Sequence, residues 1–133
     1  MEYKKAVGVI IENDNEEILL MQRGESTDHD NLKWENCGGR LEEDESFEAA
    51  AKREVLEELG VQVANLLEVL DYNSEDGTGR IWHSKVFEVK IIGEPQIMEK
   101  DLCKEIRWFK REELRNLDLT IYTKSDFDRL KWL

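Results

Sequence analysis

Apolar residues occur along the chain in short runs separated by polar turns, which is the pattern of a strand-rich domain. Residues 3–11 (YKKAVGVII) form a β-rich run of the kind that is buried on both faces, and residues 17–22 form a second run. The turn-prone segment 12–16 between them predicts a hairpin. Residues 24–33 are polar and without periodicity, so we expect a surface loop, and residues 34–44 favour neither helix nor strand.

The pattern changes at residue 46, where apolar residues and charges begin to alternate at helical spacing. Phe47, Val55 and Leu59 belong to this apolar set, and nearly every residue among them is a good helix former. Ser46 is typical of an N-cap, and Gly60 is typical of the position that follows a last helical turn. The sequence therefore predicts a helix over residues 46–59.

Most of the remaining chain favours strands again, and they are predicted at residues 61–63, 66–72, 81–92 and 106–109, with a turn at 73–79. A short helix is expected over residues 110–114. A last helix is expected over residues 120–133, where Ile121, Phe127 and Leu130 share helical spacing. Because no repeat or linker is visible, we predict one domain over residues 1–133, of mixed α/β (α+β) class, with helices covering a mixed sheet.

Composition and charge exclude several functional classes. The 133 residues are 40% hydrophobic and 38% charged, which excludes a disordered or fibrous chain. The net charge of −12 repels phosphate backbones, so we expect no stable binding to DNA or RNA. No apolar run approaches the roughly 18 residues of a membrane span, and no signal-peptide pattern is visible. Cys37 and Cys103 form no CxxC pair, so a cytoplasmic chain with reduced thiols is expected, with one disulfide as the alternative.

Three glutamates near the end of the predicted helix have an arrangement that helix stability does not favour. At about 100° per residue, Glu54, Glu57 and Glu58 fall within an arc of about 100°. Their i,i+3 and i,i+4 spacings bring like charges together at the negative end of the helix dipole. Arg53 can neutralise only part of this charge. A hard divalent cation, Mg²⁺ or Mn²⁺, would neutralise the rest, and a solvated acidic helix face is the alternative.

The spacing around these acids resembles the Nudix box, the signature of the Nudix hydrolases. That box reads Gly, five residues, Glu, seven residues, and then Arg-Glu-aliphatic-any-Glu-Glu-any-Gly-aliphatic. Residues 39–61 match it without gap or substitution, through Gly39, Glu45, Arg53, Glu54, Val55, Glu57, Glu58, Gly60 and Val61. The resemblance implies the family's α/β/α sandwich, with a mixed sheet and one central catalytic helix.

The resemblance also implies a role for each box position. Gly39 would permit a tight turn before the helix and contact the substrate, and Glu45 would pair with Arg53. The metal ligands would be the carbonyl of Gly38 and the carboxylates of Glu54, Glu57 and Glu58. Metal-bound water would be oriented or deprotonated by Glu54 or Glu57 for in-line attack on phosphorus.

Outside the box, the resemblance extends to a few single residues. In many nucleotide-cleaving members an acid ahead of a Trp-Phe strand is a further ligand; Glu99 and Glu105 are the candidates, with a surface-loop role as the alternative for each. Trp34, which precedes the loop, is a candidate to stack on a base, with a core role as the alternative. Aromatic residues within predicted strands are typical of core: Trp82, Phe87 and Trp108. Cys37 lies where the related isopentenyl-diphosphate isomerase uses a cysteine, but an unreactive packed thiol is favoured.

The resemblance implies Mg²⁺- or Mn²⁺-dependent hydrolysis of a nucleoside diphosphate linked to another group. The substrate we expect is a nucleoside triphosphate, in ordinary or oxidised form, cleaved to monophosphate and pyrophosphate as by MutT-like enzymes. The alternatives are a diphosphatase acting on ADP-ribose or nucleotide sugars, an isopentenyl-diphosphate isomerase, and a non-catalytic nucleotide-binding module. The expected partner is a small-molecule nucleotide, and homodimers are common in the family.

Overall fold

The computed structural model describes residues 2–133, and the element bounds below refer to that range. In chain order the elements are β1 (Glu2–Glu12), β2 (Glu17–Arg23), β3 (Trp34–Glu35), β4 (Cys37–Arg40), α1 (Phe47–Leu59), β5 (Gln62–Glu75), β6 (Arg80–Ile92), β7 (Cys103–Lys110), a 3₁₀ helix (Arg111–Asn116) and α2 (Ile121–Arg129). Neither α-helix within this range has the length and apolar character to span a membrane.

Strand β1 is the centre of a mixed sheet. One of its edges pairs in parallel with β6, and the other edge of β6 pairs with β5, which runs antiparallel to it. Its other edge is shared, because residues 11–12 pair with β2 and residues 6–9 pair with β4, both antiparallel. Strand β2 also pairs with β3 and with β7, both antiparallel. The predicted hairpin of β1 and β2 is confirmed.

Alternating side chains of β1 divide the core into two layers. Val7, Val9 and Ile11 pack in the layer that contains α1, whereas Ile10 packs in the layer that contains Phe127 of α2. This alternation follows from the pleat of a strand, in which successive side chains point to opposite faces. The predicted α/β/α sandwich around a mixed sheet is confirmed.

Both ends of α1 are formed as the sequence predicts. The Ser46 hydroxyl accepts a hydrogen bond from the Ala49 amide at 3.1 Å. Gly60 has the left-handed φ of 69° that ends the helix, and its amide donates to the Leu56 carbonyl. The segment before β7 then packs against the end of α1, since the Gln96 amide donates to the Leu59 carbonyl at 2.9 Å. Residues 96–99 are thereby held beside the acidic end of the helix.

Three predictions of element bounds were wrong. Residues 34–44 contain the strands β3 and β4, because pairing with β2 and β1 overrides their weak local propensity. The predicted strands 61–63 and 66–72 are one strand, Gln62–Glu75, whose register shifts twice where it pairs with β6. Residues 73–75 pair with residues 81–83, so the turn begins later than predicted.

The two terminal helices are shorter or tighter than predicted. The segment after β7 is the 3₁₀ helix, and α2 ends at Arg129. Phe127 is fully buried, as its spacing predicts, but Ile121 is 71% exposed and does not belong to the apolar face.

Replacement of Phe127 by alanine is expected to destabilise the fold by about 3–5 kcal/mol, because it leaves a cavity in a fully buried layer. Ile121→Ala on the same helix is the matched control, with an expected change below about 0.5 kcal/mol because Ile121 is exposed. Urea unfolding followed by circular dichroism measures both values. Equal losses for the two variants would contradict this assignment of the α2 core face.

Candidate active site

Strand β4 passes so close to its neighbours that two consecutive positions require glycine. A Cβ at Gly38 would overlap the Val7 carbonyl oxygen of β1. A Cβ at Gly39 would lie 2.5 Å from Oε1 of Glu54. The tight turn expected at Gly39 is wrong, because Gly39 lies in β4, paired with Val7. Its missing side chain instead makes room for the Glu54 carboxylate beside the strand.

The guanidinium of Arg53 organises the loop and two of the three acids. Its Nε and Nη2 donate to the two oxygens of Glu45, at 2.7 and 2.9 Å, so the expected pair is present in bidentate form. Its Nη1 donates to Glu54 Oε1 at 2.9 Å and to Glu57 Oε2 at 3.2 Å. The hydrogen bond from Arg53 lowers the pKa of Glu45 to about 2. Glu45 is therefore ionised throughout the neutral range.

Glu58 points away from Arg53 and towards β4. Its Oε2 accepts hydrogen bonds from the Cys37 thiol at 2.7 Å and from the Gly38 amide at 3.3 Å. The pKa of Glu58 is raised to about 8, chiefly by burial and also by the charge of Glu54, and the two donors oppose this rise. The pKa of Glu54 is also raised, by burial and by the charges of Glu57 and Glu99. These acids are close together and incompletely neutralised.

The donor set suits a hard divalent cation. Within residues 2–133, no three acidic, histidine or cysteine side chains already converge as they do around a bound metal. However, Glu54 and Glu58 supply carboxylate oxygens, which Mg²⁺ and Mn²⁺ prefer. Arg53 already contacts Glu54, but Glu58 has no positively charged partner within residues 2–133, and burial raises the pKa of both acids. A cation between them would supply positive charge, so the residues fit the group.

The remaining predicted site residues divide into one near the acids and two far from them. Glu99 is near enough that its charge raises the pKa of Glu54. Glu105 instead pairs with Arg107 on β7, with Nε donating at 3.0 Å. Trp34 is 8% exposed and packs edge-on against Phe109, so the prediction that its ring could stack on a base is wrong.

A cavity of about 370 Å³ extends from Glu58 to α2. Its acidic end is lined by Gly38, Gly39 and Glu58, and the arginines Arg23 and Arg40 also line it. Its far end is lined by polar and aromatic side chains: Asn36, Tyr72, Trp82, Thr120, Thr123 and Asp126. One cavity thus joins a site suited to phosphate chemistry to a site suited to a planar polar group.

Two polar residues at the far end were missed by the sequence analysis. Both side-chain polar atoms of Asn36 are buried without a hydrogen-bond partner. Asp126 is only 6% exposed, and one of its oxygens accepts from the Tyr72 hydroxyl at 2.7 Å. Burial raises the pKa of Asp126 to about 6. A signal existed for Asp126 alone, since it adjoins Phe127 on the buried side of α2.

Trp82 lines the cavity together with Tyr72 and Tyr122, although its position in a strand predicted a core role. Its Nε1 donates to Asp76 Oδ2 at 3.0 Å, which fixes the ring against the β5–β6 turn. The Arg40 guanidinium lies over the same ring, 5.0 Å from its centroid. Strand membership did not predict this exposure, because β6 has the cavity on one face.

Comparison with known proteins agrees with the site. The family model described as NUDIX domain matches residues 2–133, and the chain belongs to that family. The CTP pyrophosphohydrolase of Escherichia coli is 39% identical over 89 residues, which cover 67% of this chain and 64% of that protein. The match thus spans less than two thirds of that relative's length.

Solved structures extend the similarity over almost the whole fold. The crystal structure of the MutT NUDIX hydrolase from Burkholderia pseudomallei superposes with a TM-score of 0.82, at 26% identity, covering 96% of this chain and 98% of that chain. The solution structure of the E. coli ORF135 protein superposes with a TM-score of 0.78, at 32% identity, covering 98% and 92%. The fold and the box therefore identify the same family.

Cys37 is a buried thiol rather than a nucleophile. It is 2% exposed, and burial together with the charge of Glu58 raises its pKa well above the usual value for cysteine. Since the thiolate is the reactive form, this environment disfavours chemistry at Cys37.

We expect Cys37 to react with a disulfide reagent at pH 8 at least about tenfold more slowly in the native chain than in guanidinium chloride, because each unit of raised pKa removes tenfold of the thiolate. The Cys103→Ala variant leaves Cys37 as the one thiol, so its labelling rate can be followed by absorbance alone. Equal rates in the two conditions would show that Cys37 is accessible and ionised.

Proposed function

We propose that this protein hydrolyses nucleoside triphosphates to the monophosphate and pyrophosphate, with Mg²⁺ or Mn²⁺ as cofactor. The observation that carries the proposal is the pair of acids Glu54 and Glu58, which are held by Arg53 and β4, with Glu58 lining one end of a cavity of about 370 Å³. Opposite this acidic end lie polar side chains of the kind that read a nucleobase.

The cation would be held by Glu54, Glu58 and the carbonyl of Gly38, with Glu57 as a further ligand. The chemistry that it supplies when bound is neutralisation of phosphate charge and acidification of a water molecule. Arg53 contributes by holding Glu54 and Glu57 in place, and Glu45 in turn fixes Arg53. The net charge of −12 makes such local neutralisation necessary for binding a polyphosphate.

Glu54 suits the role of general base better than Glu57. Its side chain is 12% exposed and packs against Gly39 of β4, so its carboxylate is held in one position within the site. Glu57 is 52% exposed at its side chain and pairs with Arg53. In this proposal, Glu54 takes the proton of the attacking water. The negative charges of Glu57 and Glu99 then stabilise the protonated form of Glu54.

Two arginines are placed to contact the substrate's phosphates. Arg23 lines the cavity and pairs with Glu35 at 3.2 Å. Arg40 follows the two glycines of β4, and its guanidinium stacks on Trp82. Because the Arg40 guanidinium is exposed beside the acidic end, it can donate to a phosphate without first breaking the buried network.

The far end of the cavity suits a base that carries an amino group. Asn36 also lines the cavity, but both polar atoms of its side chain are buried, so Asp126 provides the accessible recognition group. The free oxygen of Asp126 accepts from a donor such as an exocyclic amino group. Cytosine presents such a donor beside acceptors, as guanine and its oxidised form also do. The relative named CTP pyrophosphohydrolase supports the same class.

The alternatives predict different products or residues. ADP-ribose or a nucleotide sugar would yield two phosphate esters and no pyrophosphate. The isomerase would need a reactive Cys37, which is buried and has a raised pKa. A nucleotide-binding module would bind without turnover, and retention of every acidic box residue disfavours it.

A substrate panel distinguishes these activities. We expect at least one substrate with an amino-bearing base (CTP, dCTP, GTP or 8-oxo-dGTP) to release pyrophosphate faster than UTP does, because uracil lacks the amino group. Product separation by ion-exchange chromatography, with and without added Mg²⁺, identifies which anhydride bond is cleaved. Turnover of ADP-ribose alone would overturn the triphosphate proposal, and tight binding without any product would favour the binding module.

The acids of the box provide the second test. Glu54→Gln and Glu58→Gln are each expected to lower kcat/KM at least about 100-fold, a loss of about 2.7 kcal/mol of transition-state stabilisation. Glu48→Gln is the matched control, since Glu48 is an exposed acid in the first turn of α1. Calorimetric titration with Mn²⁺ should show weaker cation binding for the two site variants only. Unchanged turnover in both site variants would refute the proposed mechanism.

A further inference from the structure

The hydroxyl of Tyr72 donates a hydrogen bond to one oxygen of the buried Asp126 carboxylate. Tyr72 lies on β5, and its Oη donates to Oδ1 of Asp126 on α2 at 2.7 Å. The ring of Tyr72 is fixed from its other side by Arg129, whose guanidinium carbon lies 3.7 Å from the ring centroid. Tyr72 therefore has little freedom to follow the carboxylate if the carboxylate turns.

The second oxygen of Asp126 has space in front of it because of a glycine. A Cβ at Gly8 of β1 would lie 3.3 Å from Oδ2 of Asp126 and 3.4 Å from a methyl group of Val86. Gly8 and Val86 also line the cavity. The two carboxylate oxygens therefore differ: Oδ1 accepts a hydrogen bond from Tyr72, whereas Oδ2 lies against Gly8, and both Gly8 and Asp126 line the cavity.

The backbone of Asn36 is hydrogen-bonded to the same helix, α2. The Asn36 main-chain amide donates to Oγ1 of Thr123 at 3.0 Å. Thr123 precedes Asp126 by three residues, so the two lie on the same face of α2. Thr123 and Asp126 are both buried, and both line the cavity. Thr123 therefore ties the backbone of Asn36 to the face of α2 that carries Asp126.

We propose that Tyr72 is the specificity-positioning residue of this subsite. By donating to Oδ1, it leaves Oδ2 of Asp126 as the oxygen that accepts a hydrogen bond from the amino group of the base. Tyr72 touches the reacting phosphates nowhere and acts through Asp126. The proposal rests on the proposed function for the identity of the substrate class, but its test does not need turnover.

The ionisation of Asp126 supports this geometry. Burial raises the pKa of Asp126 to about 6, whereas the Tyr72 hydrogen bond and the charge of Arg129 oppose that rise. Those two are the titratable or charged groups that face it, from β5 and from α2 itself, since Gly8 and Val86 carry no charge. Acceptance needs the anion, so binding is retained above this pKa and lost as pH falls through it. Removal of the Tyr72 hydroxyl raises the pKa of Asp126, so binding is lost at a higher pH than in the native chain.

The decisive experiment compares ligand pairs that differ only in one amino group. Binding of CMP and UMP, and of GMP and IMP, is measured by calorimetry without metal at pH 7.5. We expect the native chain to prefer the amino-bearing member of at least one pair. Tyr72→Phe should weaken binding of that member about fivefold to tenfold and leave the keto partner within about twofold, since a hydrogen bond of this kind is worth about 1 kcal/mol.

Two further variants separate positioning from folding. Tyr3→Phe removes a hydroxyl from an exposed tyrosine outside the cavity and should change neither ligand. Asp126→Asn keeps an oxygen for Tyr72 and turns an N–H towards the ligand, so the preference should reverse towards the keto partner. The midpoint of binding against pH should lie near 6 in the native chain, shift upward in Tyr72→Phe and vanish in Asp126→Asn.

Equal weakening of both members of a pair by Tyr72→Phe would overturn the proposal, because it would show a general loss of structure. Unchanged discrimination would overturn it as well. Base discrimination that depends on Tyr72, in a chain that releases no pyrophosphate from any nucleotide, would uphold this inference and reject the proposed function. In an active chain, Tyr72→Phe should raise KM and leave kcat unchanged.

Discussion

The guanidinium of Arg53 holds together the parts on which the candidate chemistry depends. Its donors reach the loop through Glu45, the helix through Glu54 and Glu57, and the end of β4 through the Arg40 carbonyl at 3.0 Å. One side chain therefore fixes the loop, the acids and the strand in a single arrangement. Because the network is partly buried and bidentate at Glu45, it resists solvent screening better than an exposed ion pair.

Strand β1 extends that arrangement from the acids to the rest of the cavity. Its register places Val7 opposite Gly39 and Gly8 opposite Gly38, so the acidic end lies against the middle of the central strand. Gly8 leaves room on the opposite face for the carboxylate of Asp126. Two adjacent residues of β1 thus serve opposite ends of the cavity, which explains how a site assembled from both layers can be compact.

The sequence was sufficient for the parts of the site that are contiguous in the chain. The box predicted α1, both of its caps and the pairing of Glu45 with Arg53, because those contacts depend on helical spacing and one short loop. It could not predict β3 and β4, whose strand conformation comes from pairing with distant segments. The sequence also predicted the wrong exposure for the rings of Trp34 and Trp82, because the exposure of a ring in a sheet depends on which segments cover that face.

The far end of the cavity lay beyond sequence reasoning for the same reason. Tyr72 and Asp126 are 54 residues apart, and no local pattern connects them. Both ends of the cavity contain a buried carboxylate whose pKa is raised, which is a state that destabilises the ionised fold. Glu58 has donors from Cys37 and Gly38 on one oxygen, and Asp126 has a donor from Tyr72 on one oxygen. In each case the protein satisfies only half of the carboxylate, and a ligand would satisfy the other half: a cation at Glu58 and an amino group at Asp126.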